Sequence, residues 1–247
     1  MSDSLCAETV TIKGHGGDEV EAYLARPEGD GPRGGMVVIH HMPGYDRGSK
    51  EIVRRFAEMG YDAVMPNLYH REAPGAAPDD AAATARAQGG VPDQRLVGDV
   101  GAGAEYVRSL LSSNGKVGVI GYCSGGRQSV LAACNVDLDA AIDCYGAFVT
   151  GTPPEGFPLK VTNLVDQLPN LRCPLLGLFG NDDQYPTPEQ VDELDEILTR
   201  ESKPHEFHRY DGAGHAFFSV DRPAYRPEAA VDGWERISEF LATNLGG

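Results

Sequence analysis

No apolar run in this 247-residue chain approaches the ~18 residues that a membrane-crossing helix needs, so a helical span is excluded. Basic residues are scarce: 21 Lys and Arg stand against 37 Asp and Glu, for a net charge of −16. That deficit argues against nucleic acid as a partner, and an anionic substrate would have to find a local positive patch. Cysteine is sparse too. Cys6, Cys123, Cys134, Cys144 and Cys173 are odd in number and widely spaced, with no CxxC among them. This argues against a disulfide framework or a cysteine-rich zinc site and suits free thiols in a reducing compartment. The opening Met1-Ser2-Asp3-Ser4-Leu5-Cys6 is acidic and lacks the pattern of a secretory leader, so the cytoplasm is the expected location. No internal repeat or linker composition divides the chain, and one domain over residues 1–247 is expected.

What is present is an alternation of two periodicities. Residues 8–13 and 19–26 alternate apolar and polar side chains around a Gly-rich turn and predict an antiparallel hairpin. Continuous apolar runs at 35–40, 61–66, 115–122, 140–145 and 174–180 predict strands buried on both faces, with a last strand at 205–211. Between them, helical spacing recurs: Ile52, Val53, Phe56 and Met59, stopped by Gly60; Leu96 to Leu111 within 94–111; and Trp234 to Leu241 within 231–245. Thr187-Pro188-Glu189-Gln190 has the composition of a capped helix start. Strands alternating with helices predict a doubly wound, mostly parallel sheet with helices on both faces. Residues 72–93, rich in Ala, Gly, Pro and Asp around a helical patch at 79–88, read as a lid, a pocket wall or a solvated loop.

One stretch organises the rest. Gly115 to Tyr122 is a strand, Cys123-Ser124-Gly125-Gly126 is a cluster of small residues, and Arg127 to Cys134 reads as a helix. Strand, sharp turn and helix within about twenty residues form a nucleophile elbow, G-x-S-x-G, with Cys123 in the serine's place. Gly121 and Gly125 stand where strand and helix pass too closely for a Cβ. A helix N-terminus beside the sulfur favours thiolate. Ser124 is one place out of frame to be the nucleophile.

A thiol near pKa 8.5 needs a base, and the base needs an orienting carboxylate. His215, in Gly212-Ala213-Gly214-His215-Ala216-Phe217, follows the last predicted strand; Asp182 and Asp183 follow the one before it. In a parallel sheet those strand ends share one edge, where ligands bind. The order nucleophile, acid, histidine is that of the α/β-hydrolases. The residues alone do not separate Asp182 from Asp183. An oxyanion hole requires two backbone N–H groups, one from Ser124 and a second from the loop after the first central strand, at Met42.

These motifs resemble the dienelactone hydrolase (carboxymethylenebutenolidase) family over nearly the whole chain. Gly121 to Gly126 is similar to its elbow, Gly60 to Tyr69 to its G-Y-x-x-x-x-P-x-L-Y strand, Gly180-Asn181-Asp182-Asp183 to its G-x-x-D motif, and Ala213 to Phe217 to its histidine loop. The resemblance implies an α/β-hydrolase fold, selects Asp183, and implies a cofactor-free, metal-free hydrolase of lactones or activated esters working through a thioester. In the family, a carboxylate-bearing dienelactone is opened to maleylacetate. Two departures stand out. Where the family has a glutamate partnering the resting thiol, this chain has His41, which would either stabilise a thiolate or serve as a pocket-wall or loop-capping group. Of the two arginines that hold the substrate carboxylate in the family, Arg86 matches one in register; for the other, the nearest residue is Arg222.

A small-molecule lactone or ester is therefore the expected partner, for a monomer or small homo-oligomer. A thiol-dependent acyltransferase or peptide hydrolase on the same triad, or a non-catalytic binding protein of this fold, are the competing readings. A metal site from His40, His41, His70 and His215 is weaker, since adjacent residues on a strand face opposite sides.

Overall fold

The computed structural model describes residues 4–246. Its strands are β1 (Leu5–Lys13), β2 (Glu19–Pro27), β3 (Arg33–Ile39), β4 (Asp62–Pro66), β5 (Ser113–Tyr122), β6 (Ala140–Cys144), β7 (Leu175–Gly180) and β8 (His205–Tyr210). The helices are α1 (Arg47–Glu58), α2 (Pro78–Ala87), α3 (Asp93–Arg108), α4 (Ser124–Asn135), α5 (Pro188–Arg200) and α6 (Pro227–Leu245). All eight strands join one sheet in the order β1-β2-β4-β3-β5-β6-β7-β8. The β1/β2 hairpin is antiparallel and docks antiparallel on β4, and every other pairing is parallel. This is the doubly wound, mostly parallel sheet that the alternation predicts, and the α/β-hydrolase fold that the resemblance implies.

The parallel strands are apolar on both faces because both are covered. Along β3, Val37 and Ile39 face one layer while Met36 and Val38 face the other. The first layer holds Leu96 and Val100 of α3, Val130 of α4 and Leu194 of α5. The second holds Val53 and Phe56 of α1 with Ile237 and Phe240 of α6. Helices are thus split across the sheet, and the winding reverses between β3 and β5. At such a switch point the loops leave in opposite directions and open a crevice at the strands' carboxyl ends.

Several boundaries move. β3 ends at Ile39, so His40 is already in the loop; α6 begins at Pro227, and α4 begins directly after Cys123. The apolar stripe of α3 stops before Leu111. The helix closes at Ser109, Ser112 turns inward to Asp62, and Leu111 is left fully exposed. The helix at Thr187 starts as expected, with the reciprocal Thr187–Gln190 capping box in place. A short 3-10 turn at Val165–Asn170 lies in a stretch without a sequence pattern of its own.

Candidate active site

The elbow is a backbone problem first. Cys123 has φ 58° and ψ −121°, a left-handed conformation that a residue with a Cβ adopts only at a cost of ~1–3 kcal/mol. Its neighbours make the turn possible. A Cβ on Gly121 would lie 1.8 Å from the Gly125 carbonyl oxygen, and one on Gly125 would lie 2.6 Å from that of Ile39. Strand and helix therefore meet backbone to backbone. The Cys123 N–H is held by the Cys144 carbonyl at 3.1 Å, and α4 starts at the next residue. The side chain is thrust out of the sheet edge beside a helix N-terminus.

His215 follows β8 and Asp183 follows β7, so both reach the same edge. The His215 Nδ1–H donates to Asp183 Oδ2 at 2.9 Å, which leaves Nε2 for the sulfur. The other oxygen of Asp183 accepts from the Tyr185 N–H at 2.9 Å, and Asp183 is buried while Asp182 is exposed. Tyr145 packs its ring edge against the imidazole, centroids 5.2 Å apart. The charges support one another. Burial works against the imidazolium, but the hydrogen bond to Asp183 and the interaction with the Cys123 sulfur outweigh it and raise His215 to about 10. Burial likewise disfavours the thiolate, yet His215, with the backbone N–H groups of Ser124 and Met42, brings Cys123 below the ordinary thiol value.

Met42 is held in place by the loop around it. His40 is buried between two loops: its Nδ1–H donates to the His41 carbonyl at 2.9 Å and its Nε2 accepts from the Leu68 N–H at 3.3 Å. Burial lowers its pKa to about 4, which keeps the ring neutral and able to accept. The Tyr69 hydroxyl donates to the Met42 carbonyl at 2.9 Å.

His41 does not face the thiol. Its Nε2–H donates to Asp46 Oδ2 at 2.8 Å, and Asp46 is also the N-cap of α1 through the Ser49 N–H at 2.7 Å. Burial opposes the charge of Asp46, but these hydrogen bonds hold its carboxyl below the usual range. His41 and Asp46 line a separate 370 Å³ cavity walled by Tyr122, Tyr145, Phe218 and Trp234. The expectation that His41 contacts substrate or sulfur is therefore corrected: the loop turns at Ile39 and the side chain swings to the helix cap. Arg222 is exposed on the loop beyond His215 and lines neither cavity. Arg86, on α2, is half-buried; its charge is felt at the Tyr69 hydroxyl, but it does not line the cavity around Cys123.

That cavity measures 510 Å³. Cys123, Ser124, Met42, Asp183 and His215 form one wall. Gly89, Gly90, Val91 and Asp93 form another, so the irregular segment 72–93 supplies a pocket wall. Phe148, Phe157 and Tyr185 make an aromatic shelf, and Arg127 and Gln128 reach in from α4. Sequence reasoning missed these last five. Arg127 did carry a signal, since an arginine in the first turn of a helix packed against the sheet needs an acid to pair with. Phe148 and Phe157, in the Gly/Pro-rich loop over residues 146–159, and Tyr185 after β7 carried none. Among the described residues, no group of three or more His, Cys, Asp or Glu is arranged to hold a metal ion, and none of the helices is long and apolar enough to cross a membrane.

The sequence model of the dienelactone hydrolase family matches residues 20–245. The chain belongs to that family. It is 34% identical to the Escherichia coli K12 protein named "Putative carboxymethylenebutenolidase", over 97% of this chain and 88% of that protein. It is 29% identical to the carboxymethylenebutenolidase of Pseudomonas putida, over 96% and 97% of the two chains. Among solved structures, a "Putative Dienelactone Hydrolase" from Klebsiella pneumoniae superposes with a TM-score of 0.85 at 28% identity, covering 97% of this chain and 99% of that one. Membership makes the chain a hydrolase of the dienelactone hydrolase type.

Proposed function

We propose that this family member is a cysteine-dependent hydrolase of lactones or activated esters, with Cys123 as nucleophile, His215 as acid–base and Asp183 as its orienting carboxylate. The thiolate attacks the carbonyl carbon, and the oxyanion that forms is met by the N–H groups of Ser124 and Met42. The C–O bond breaks, His215 gives its proton to the leaving oxygen, or to solvent where that oxygen leaves as an anion, and a thioester on Cys123 remains beside a neutral imidazole. Water then attacks the thioester while His215 takes its proton. The C–S bond breaks, and acid and thiolate are restored. The observation that carries this reading is the convergence of His215, held by Asp183, and two backbone N–H groups on one sulfur at a strained strand–helix turn.

The test is acyl-enzyme trapping. Wild type quenched during turnover of 4-nitrophenyl acetate should carry an acetyl group on Cys123 by peptide mass spectrometry. Cys123→Ala should lose on the order of 10³-fold or more in kcat/KM. Unchanged turnover in Cys123→Ala would remove the proposal.

A further inference from the structure

The 510 Å³ cavity has an unusual charge balance for a site that would bind an anion. Three carboxylates line it, Asp93, Asp182 and Asp183, against two cationic side chains, the His215 imidazole bound to Asp183 and the Arg127 guanidinium. That guanidinium is already occupied. Arg127 is 3% exposed, and its Nη1 and Nη2 donate to the two oxygens of Asp93 at 2.9 and 2.8 Å. Its Nε and Nη2 also donate to the Thr162 carbonyl at 3.2 and 2.8 Å. Four of the five N–H donors that a guanidinium carries are thus committed, and no fork is free for a substrate carboxylate.

Two further cations stand close by, and neither lines the cavity. Arg86 on α2 is felt at the Tyr69 hydroxyl, and the stem of Lys160 lies over Gly89, whose Cβ, if present, would be 2.7 Å from the lysine Cγ. Opposite the thiol, the wall is apolar. Phe148 packs on Phe157 and Tyr185 with ring centroids 4.9 and 5.5 Å apart, and Leu159 and Val161 continue the surface. An anion placed here would lose its water, face fixed negative charge and find no free donor fork.

On the reading of the site proposed above, we infer that it takes neutral esters or lactones with an aromatic or apolar body, and that it discriminates against substrates carrying a carboxylate. The aromatic shelf supplies the binding surface, and the Asp93–Arg127 pair closes the subsite where an anion would be held.

The test uses a matched pair, methyl 4-acetoxybenzoate and 4-acetoxybenzoate, which differ in one charge. Each kcat/KM is divided by the same ester's rate with hydroxide, so that leaving-group differences cancel. Wild type should prefer the neutral ester by roughly tenfold or more, with the preference shrinking as salt is raised. Phe157→Ala should raise KM for the neutral ester severalfold. Asp93→Asn, which releases the Arg127 fork, should narrow the preference severalfold. Equal rates on the two esters, or a preference for the anion, would overturn the inference while leaving the thiol mechanism standing. Turnover of both esters that persists in Cys123→Ala would instead overturn the mechanism, and the inference with it.

Discussion

Replacing Asp143 by asparagine exchanges one buried atom beneath the elbow and should remove a pH dependence of stability. Asp143 sits on β6 with no exposed surface. Its Oδ1 accepts from the Gly146 N–H at 2.7 Å, and its Oδ2 is buried with no hydrogen-bond partner. Burial pushes its pKa from 3.8 to about 7, although the Gly146 N–H and the charge of His215 both favour the ionised form. An unfolded aspartate titrates near ~3.9. Between those two values the folded chain holds a proton that the unfolded chain has lost. The stability this group allows is therefore fully present below about pH 4, falls as pH rises towards 7, and levels off above it. A three-unit difference at ~1.4 kcal/mol each is about 4 kcal/mol in all, of which about 3 falls between pH 5 and pH 8. Asparagine keeps the acceptor for Gly146 and has no such titration. Urea unfolding of both proteins at pH 5, 6, 7 and 8 should show Asp143→Asn gaining on wild type by about 3 kcal/mol across the series. A gap that stays constant, or a wild type that gains on the variant as pH rises, would refute the argument that burial outweighs the Gly146 N–H and the charge of His215 at Asp143.

Two other perturbations address the elbow and the thiol. Gly121→Ala places a Cβ 1.8 Å from the Gly125 carbonyl oxygen, and thermal unfolding should show a loss of at least ~3 kcal/mol or no folded protein; a near-native melting temperature would mean that strand and helix are not in backbone contact. The rate of Cys123 alkylation by iodoacetamide against pH should show an inflection below the ordinary thiol value, moving up in His215→Ala and staying put in His41→Ala. A shift in the His41 variant comparable to that in the His215 variant would sink the assignment of His41 to the α1 cap.

The parts of the site that could be read from sequence are those set by the backbone. Gly121 and Gly125 announce the close approach around Cys123, and the apolar runs of β3, β5 and β7 announce which loops share an edge. The direction of a side chain after a strand ends is not written in spacing. His41 lies one residue before Met42, yet the two point to different cavities because β3 stops at Ile39 and Asp46 offers His41 a stronger partner. Asp183 was separable from Asp182 only through the family motif, since the distinction is burial in a turn. Arg127 shows the opposite case. Its type is visible in sequence, but its partner, Asp93, is 34 residues away and becomes legible only when α3 and α4 pack together.

Both the charge support of Cys123 and the aromatic shelf of the cavity lie on the β5–β8 side of the switch point. The loop after β3 contributes a backbone N–H through Met42, positioned by a neutral His40, and withdraws its one remaining imidazole to a helix cap. Charge stabilisation of Cys123 must then come from His215 and the start of α4, on the β5 and β8 side. That arrangement does not use an acid or a cation across the pocket, so the far wall is free to be built from Phe148, Phe157 and Tyr185. A thiol that depends on a substrate carboxylate to rearrange its partners would need a movable charge facing it. Here Asp46 is tied to His41 and the α1 cap in the neighbouring cavity and Asp93 is paired with Arg127, so in the mechanism proposed above the thiolate is ready before substrate arrives.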